Sequence, residues 1–188
     1  MPELVNAVGG GDLALEIRLE TIYDKLMNRK GINNVEYEPE IYPGLRFQFD
    51  ESVATVMLFG SGKYNIAGAN STKDLQNTCE NVIELITSLR ESGPKEVGTK
   101  YEFRNLVYKA EYARELDLPA LAATSILENT TYNPKTHPSL HYQPKTDGGL
   151  FIIFRTGSVI LTGIDNPDLC EEYFDRLFQD LDVLLQLH

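Results

Sequence analysis

The chain repeats itself, and no other feature narrows its possible folds as far, because two copies of one unit must be built to the same plan. Tyr37-Glu38-Pro39-Glu40-Ile41-Tyr42-Pro43-Gly44-Leu45 aligns with Tyr132-Asn133-Pro134-Lys135-Thr136-His137-Pro138-Ser139-Leu140, a shift of 95 residues. The same shift carries Phe59-Gly60-Ser61-Gly62 onto Phe154-Arg155-Thr156-Gly157 and Gly68 onto Gly163. Upstream, Asn6-Ala7-Val8 matches Asn105-Leu106-Val107, and Ile17-Arg18-Leu19 matches Leu116-Asp117-Leu118, at a shift of 99. The first copy thus holds four extra residues between Leu19 and Tyr37, and segment 28–34 is the place for them. The predicted organisation is a first repeat over 1–92, a linker and start of the second over 93–104, and a second repeat over 105–188. Gly93 and Pro94 mark the stretch 91–98 as the link itself.

Each half predicts the same elements. A short strand ends near Val8 or Val107, and a short helix follows over 19–27 or 119–127, with Pro119 suited to a first helical position. Strands over 45–49, 53–59 and 63–68 have counterparts over 140–143, 150–154 and 159–163, and the turns at Gly60-Ser61-Gly62 and Arg155-Thr156-Gly157 have hairpin length. A long helix closes each half. Ser71 caps the first, with Leu75, Cys79, Val82, Ile83, Ile86 and Leu89 as its apolar stripe; Asn166-Pro167 opens the second, with Leu169, Tyr173, Leu177, Phe178, Leu181 and Leu184. Adjacent antiparallel strands with helices on one side define an α+β protein.

Composition then removes whole classes of function. The 188 residues carry 17 Lys and Arg against 28 Asp and Glu, a net charge of −11. Such a chain is no general polycation, and any polyanion must be held by a local site against the overall field. The longest apolar run, Leu150–Phe154, is far short of the roughly 20 residues that span a bilayer. The N-terminal residues lack a signal-peptide layout, so no membrane partner and an intracellular setting are expected. Cys79 and Cys170 form no CxxC and read as small buried thiols.

Catalytic and cofactor motifs fail one by one. Gly62-Lys63 is followed by Tyr64, which breaks the phosphate-loop pattern, and Gly9-Gly10-Gly11 opens no GxGxxG. His137 and His141 flank Pro138 outside any helix, so helical metal-ligand spacing does not apply. Asp165, Asp168, Glu171 and Glu172 are favourable charges at a helix N-terminus. The expectation is no enzyme, no cofactor, no metal and no small-molecule substrate.

If helices cover one sheet face, the other stays open, and residues i and i+2 share it. Pairs recurring in both halves mark that face: Asn6 and Val8 with Asn105 and Val107, Met57 and Phe59 with Ile152 and Phe154, Asn65 and Ala67 with Ile160 and Thr162. These are short amides, small apolar groups and one Phe per half, without charge. Such positions are either packed core or a binding surface.

The repeated phrases, with Leu58-Phe59-Gly60-Ser61-Gly62-Lys63 and Leu161-Thr162-Gly163, resemble the TATA-box-binding protein family over residues 6–185. The compact length and acidic balance resemble its archaeal members, and the 5–13 opening with His137-Pro138-Ser139-Leu140 resembles divergent paralogues. The resemblance implies a saddle of two pseudo-symmetric repeats sharing one curved antiparallel sheet, with helices on the convex face. It implies a general transcription initiation factor that binds and bends A/T-rich promoter DNA through the minor groove and recruits transcription factor B and the RNA polymerase machinery. The setting would be the archaeal cytoplasm and nucleoid, or the nucleus in a eukaryote. The wedging mode and its cost are those described for this family itself.

Carried over residue by residue, the wedges fall on Tyr42, Phe59, His137 and Phe154, with Pro43 and Pro138 beside them. Asn6 and Asn105 map to the donors to A·T acceptors; Val8, Val107, Met57, Ile152, Ile160 and Thr162 map to the apolar lining, and Lys63 to a retained cation. Asn65 replaces a family valine and Ala67 a family threonine. Gln48, Asp50, Asn70, Ser158 and Asp165 stand where the family has phosphate-contacting cations, leaving Arg46, Lys109, Lys145 and Arg155 as substitutes. Glu38, Glu40 and Ile41 resemble the acidic stirrup that receives transcription factor B, which in the family belongs to the second repeat; here that repeat offers Asn133, Lys135 and Thr136. The alternative is a paralogue with weak DNA binding that regulates transcription through transcription factor B or other proteins.

Overall fold

The computed structural model describes residues 1–90, 97–145 and 149–186. Most of the expected linker, 91–96, lies outside the described residues. The chain divides into two compact units, one of Asn6–Arg104 and one of Asn105–His188 joined by Met1–Val5.

The Asn6–Arg104 unit contains β1 (Glu3–Asp12, from Asn6 on), α1 (Leu19–Leu26), β2 (Ile32–Glu36), β3 (Gly44–Phe49), β4 (Thr55–Phe59), β5 (Lys63–Ala69) and α2 (Thr72–Leu89). Its strands neighbour one another in the order β2-β3-β4-β5-β1. Every described pairing is antiparallel. The first residues of β6 (Tyr101–Glu111) also belong here. The Asn105–His188 unit continues β6 and adds α3 (Leu118–Ala122), β7 (Thr130–Tyr132), β8 (Ser139–Tyr142), β9 (Leu150–Phe154), β10 (Ser158–Ile164) and α4 (Cys170–Gln186). Its order is β6-β10-β9-β8-β7, again antiparallel. The α+β expectation and the repeated element order both hold.

Several boundaries differ from the sequence reading. The opening strands do not end at Val8 and Val107 but run on to Asp12 and Glu111. Each half has an edge strand, β2 or β7, that the sequence reading left as connection. The extra residues of the first copy show as a longer α1, eight residues against five in α3, and a longer β2, five against three in β7, whose register slips between Asn33 and Glu36 around a left-handed Asn34. The second short helix stops at Ala122 rather than at residue 127. Asp117 caps it through Ala120 N–H, which makes Pro119 its second residue, and the Thr124 hydroxyl caps the Leu121 carbonyl at 3.0 Å as the chain leaves.

Helices α1 and α2 bury one strand face in their unit. Ser71 accepts from Asp74 N–H at 3.0 Å, as a cap should. The buried stripe of α2 is Leu75, Thr78, Cys79, Val82, Leu85 and Ile86, so it lies slightly round from expectation and leaves Ile83 and Leu89 only half-buried. In the second unit a 3-10 turn at Pro167–Leu169 precedes α4, so the stripe opens on Cys170 and Phe174 rather than Leu169 and Tyr173 and continues as expected through Leu177, Leu181 and Leu184. Leu169 is exposed, while Tyr173 and Phe178 flank the stripe half-buried. Burial pushes the Cys79 thiol up to about 11 and that of Cys170 to about 12, as expected of thiols that act as core atoms.

The glycine run of β1 has a packing cause. A Cβ at Gly9 would meet the Glu102 carbonyl at 2.7 Å, and one at Gly11 would meet the Lys100 carbonyl at 2.5 Å and the Tyr64 hydroxyl at 2.8 Å. Gly9 and Gly11 therefore let the 100–104 segment lie against β1 while Tyr64 fills the space beneath.

Candidate functional site

In each unit the strand residues opposite the helices are half-exposed. On the Asn6–Arg104 unit they are Asn6 and Val8 of β1, Asn65 and Ala67 of β5, Thr55, Met57 and Phe59 of β4, and Arg46 and Gln48 of β3. Their neighbours Ala7, Ile66, Val56, Leu58 and Phe47 are fully buried. The register aligns Phe59 with Gly44, Met57 with Arg46, and Asn65 with Met57. On the Asn105–His188 unit the same alternation selects Asn105 and Val107, Ile160 and Thr162, Leu150, Ile152 and Phe154, and His141. These residues form an open face in each unit and are not packed core.

That face is not free of charge, which corrects the expectation. Arg104 extends onto it and donates to Asn65 Oδ1, while its Nε donates to Glu102 at 3.0 Å. Arg46 pairs with Glu36 at 3.9 Å and lies 4.2 Å from the Tyr42 ring centre, a cation–π geometry. Lys109 pairs with Glu111 at 2.9 Å, and its ammonium is the main reason the Glu111 carboxyl sits below the usual range. Lys145 and Arg155 are tied to Glu128 and Glu115. Lys145 lines a cavity of about 250 Å³ with Tyr173 and Arg176 of α4, on the helix side, so it is not a substitute cation of the open face. Lys63, exposed at the start of β5, has no ion pair among the described residues.

The four wedge positions are arranged differently in the two units. Tyr42 and Phe59 pack as a tilted pair with centroids 6.0 Å apart. His137 stacks instead on His141, at 5.7 Å and 26°. Phe154 lines a separate groove with Pro138, Tyr132, Leu116 and Leu118. The loops that carry Pro43 and Pro138 share one turn. Ile41 and Tyr42 N–H groups donate to the Glu38 carbonyl at 2.9 Å, and Thr136 and His137 donate to the Asn133 carbonyl at 3.0 and 2.9 Å. Glu38 and Glu40 are exposed, and Ile41 is 80% exposed.

The amides also differ. Asn105 Oδ1 accepts from Gly163 N–H at 2.8 Å and from the Thr162 hydroxyl at 3.2 Å, at the register slip between β10 and β6. This fixes the carboxamide with its NH₂ pointing away from those partners, where it can donate to an acceptor outside the protein. Arg104, Glu102 and His141 were missed from the sequence. His141 stands one 95-residue shift from Arg46, so the repeat itself held the signal. Alternation along β6 counts Arg104 with Leu106 and Tyr108, which are buried, and that hid it.

Among the described residues no group of three or more His, Cys, Asp or Glu is placed to hold a metal ion. No helix of those residues is long and apolar enough to cross a membrane.

Two copies of a helix-backed antiparallel sheet, each with an uncovered strand face, define an α+β repeat protein. The chain belongs to the family described as Transcription factor TFIID (or TATA-binding protein, TBP), which matches residues 1–89 and 100–184. It is 31% identical to TATA-box-binding protein C of Halobacterium salinarum, over 95% of this chain and 98% of that one. It is 33% identical to the TATA-box-binding protein of Methanococcus aeolicus, over 88% and 86%. The solved structure of Methanococcus jannaschii TBP matches with a TM-score of 0.75 at 26% identity, covering 96% of this chain and 98% of that one. The fold is thus the two-repeat α+β fold of that family, as the repeat and the phrases implied.

Proposed function

We propose that this protein is a transcription initiation factor that binds A/T-rich promoter DNA in the minor groove and bends it. The observation that carries this reading is the open face itself. Both units present half-exposed Phe, Asn and aliphatic side chains at matching positions, on a sheet whose other face is fully packed. Asn105 donates to the N3 and O2 acceptors of A·T pairs, and Val107, Ile152 and Ile160 desolvate the groove floor. Phe59 and Phe154 enter base steps, which unstack most cheaply in TA-rich DNA. Binding to A·T-rich but not G·C-rich duplexes, with a bend seen by fluorescence transfer between labelled ends, tests the reading. Equal binding to both duplexes without a bend would refute it.

Transcription factor B is the protein partner in this reading. Glu38, Glu40 and Ile41 offer it an acidic edge with an apolar anchor, whereas Lys135 reverses the charge at the position matching Glu40. A basic partner surface should therefore prefer the loop at 38–42. Charge reversal at Glu38 and Glu40 is expected to abolish pull-down of transcription factor B from solution, with Lys135→Glu having little effect. The opposite pattern places the partner on the second loop. One observation favours a second reading, a paralogue acting mainly through proteins: Arg46, Arg104 and Lys109 are each already paired with a glutamate. The A·T-rich binding assay separates the two.

A further inference from the structure

The Asn65–Arg104 pair occupies the middle of one open face and has no equivalent on the other. Asn65 lies on β5 between Met57 of β4 and Gly10 of β1. Arg104 donates to Asn65 Oδ1. In the other unit the matching residue is Ile160, flanked by Ile152 of β9 and Lys109 of β6. One unit thus sets an oriented amide where the other sets a branched hydrocarbon.

We infer that Asn65, held in orientation by Arg104, gives this protein tolerance for a G·C base pair in one half of its DNA site only. The inference rests on the minor-groove reading above. In that groove an A·T pair shows only acceptors, and a G·C pair adds the guanine amino group as a donor in the middle of the floor. Ile160 can neither hydrogen-bond that amino group nor make room for it, so its half of the site stays restricted to A·T. Asn65 Oδ1 has two lone pairs, and Arg104 takes one of them. The second can accept from guanine N2, while the Asn65 NH₂ can donate to N3 or O2 in either kind of pair. Glu102 holds Arg104 at its Nε, so the orienting group is itself fixed.

A palindromic A·T duplex makes the test independent of binding orientation. With one G·C pair placed in either half, the protein can turn so that Asn65 covers it. The wild type is therefore expected to lose no more than about threefold in affinity on the singly substituted duplex. It should lose a further tenfold or more when both halves carry G·C, in line with usual mismatch costs. Asn65→Val should lose about tenfold on the first G·C pair. Ile160→Asn, the reciprocal change at a half-exposed strand position, should lessen the loss on the doubly substituted duplex. A wild-type loss of tenfold on the first G·C pair, or an Asn65→Val protein with wild-type preferences, overturns the assignment. Failure of the wild type to bind the unsubstituted A·T duplex is a different result, and overturns the promoter-binding reading together with it.

Discussion

The two units share a plan but have divided the usual properties of an open sheet face between them. The Asn6–Arg104 unit keeps an aromatic pair, Tyr42 on Phe59, but interrupts its lining with Asn65, Arg104 and Glu102. The Asn105–His188 unit keeps an aliphatic lining of Val107, Leu150, Ile152 and Ile160, but has lost the pair, because His137 turns to His141. The comparison teaches that the aromatic pair and the aliphatic lining of an open face can drift separately when a fold supplies each twice. The cores show the same freedom. Tyr64 stands beside Cys79 in one unit, and at the corresponding positions of the other stand Val159 and Phe174, so large and small residues have exchanged places.

The largest expected effect tests the division of the wedges. Phe154 has no aromatic partner equivalent to Tyr42, so Phe154→Ala should abolish the kink at its end of the site. Phe59→Ala leaves Tyr42 in place and should keep part of the bend. Unstacking a base step involves a few kcal/mol, so the effect should appear chiefly in the bend angle by fluorescence transfer. Equal bends from the two variants would remove this distinction between the units.

A smaller effect tests the paired charges. Glu102 and Glu111 hold Arg104 and Lys109, one pair in each unit, and in the promoter-binding reading compete with phosphate for them. With its cations occupied, the wild type should show a shallow dependence of affinity on salt. Glu102→Gln combined with Glu111→Gln should raise affinity several-fold at low salt. It should also steepen the log–log slope by roughly 0.9 for each cation freed. A steep wild-type slope, unchanged in the double variant, would show that these ion pairs open freely on binding. Each single variant then tells which unit carries the greater share.

How much of this was legible in the residues depended on whether neighbours or tertiary crowding decided the outcome. The strands, hairpin turns and long helices follow from local pattern; Gly62 and Gly157 both take the left-handed turn position that the repeat implied. The edge strands β2 and β7 were not legible, since Ile32–Glu36 has polar Asn33 and Asn34 at its centre and pairs on one side only. The stripe of α4 was misread only at its start, where Pro167–Leu169 winds as a 3-10 turn and Cys170 and Phe174 are buried in place of Leu169 and Tyr173; Leu177, Leu181 and Leu184 are buried as expected. At the site, alternation found Asn6, Met57, Asn65 and their counterparts. It could not find Arg104, which alternates with buried Leu106 and Tyr108 yet reaches Asn65 with its long side chain.

The smallest prediction sharpens the comparison of the two cores. The Tyr64 hydroxyl is buried without a hydrogen bond of normal geometry among the described residues. The Cys79 thiol, a weak partner, stands beside it, and desolvation pushes the phenol well above its ordinary range. The corresponding Val159 carries no polar atom, so only the first unit bears this cost. Tyr64→Phe keeps the ring that fills the space left by Gly11 and removes the oxygen. An unmet buried hydroxyl costs roughly 1–3 kcal/mol, part of which the thiol offsets, so the variant should gain about 1 kcal/mol. For a chain of this size that is a rise in Tm of about 2–4 °C, measurable by thermal or urea unfolding. If Tyr64→Phe instead lowers stability, the hydroxyl–thiol contact is a working hydrogen bond. The core of the first unit would then be as well satisfied as the apolar core of the second.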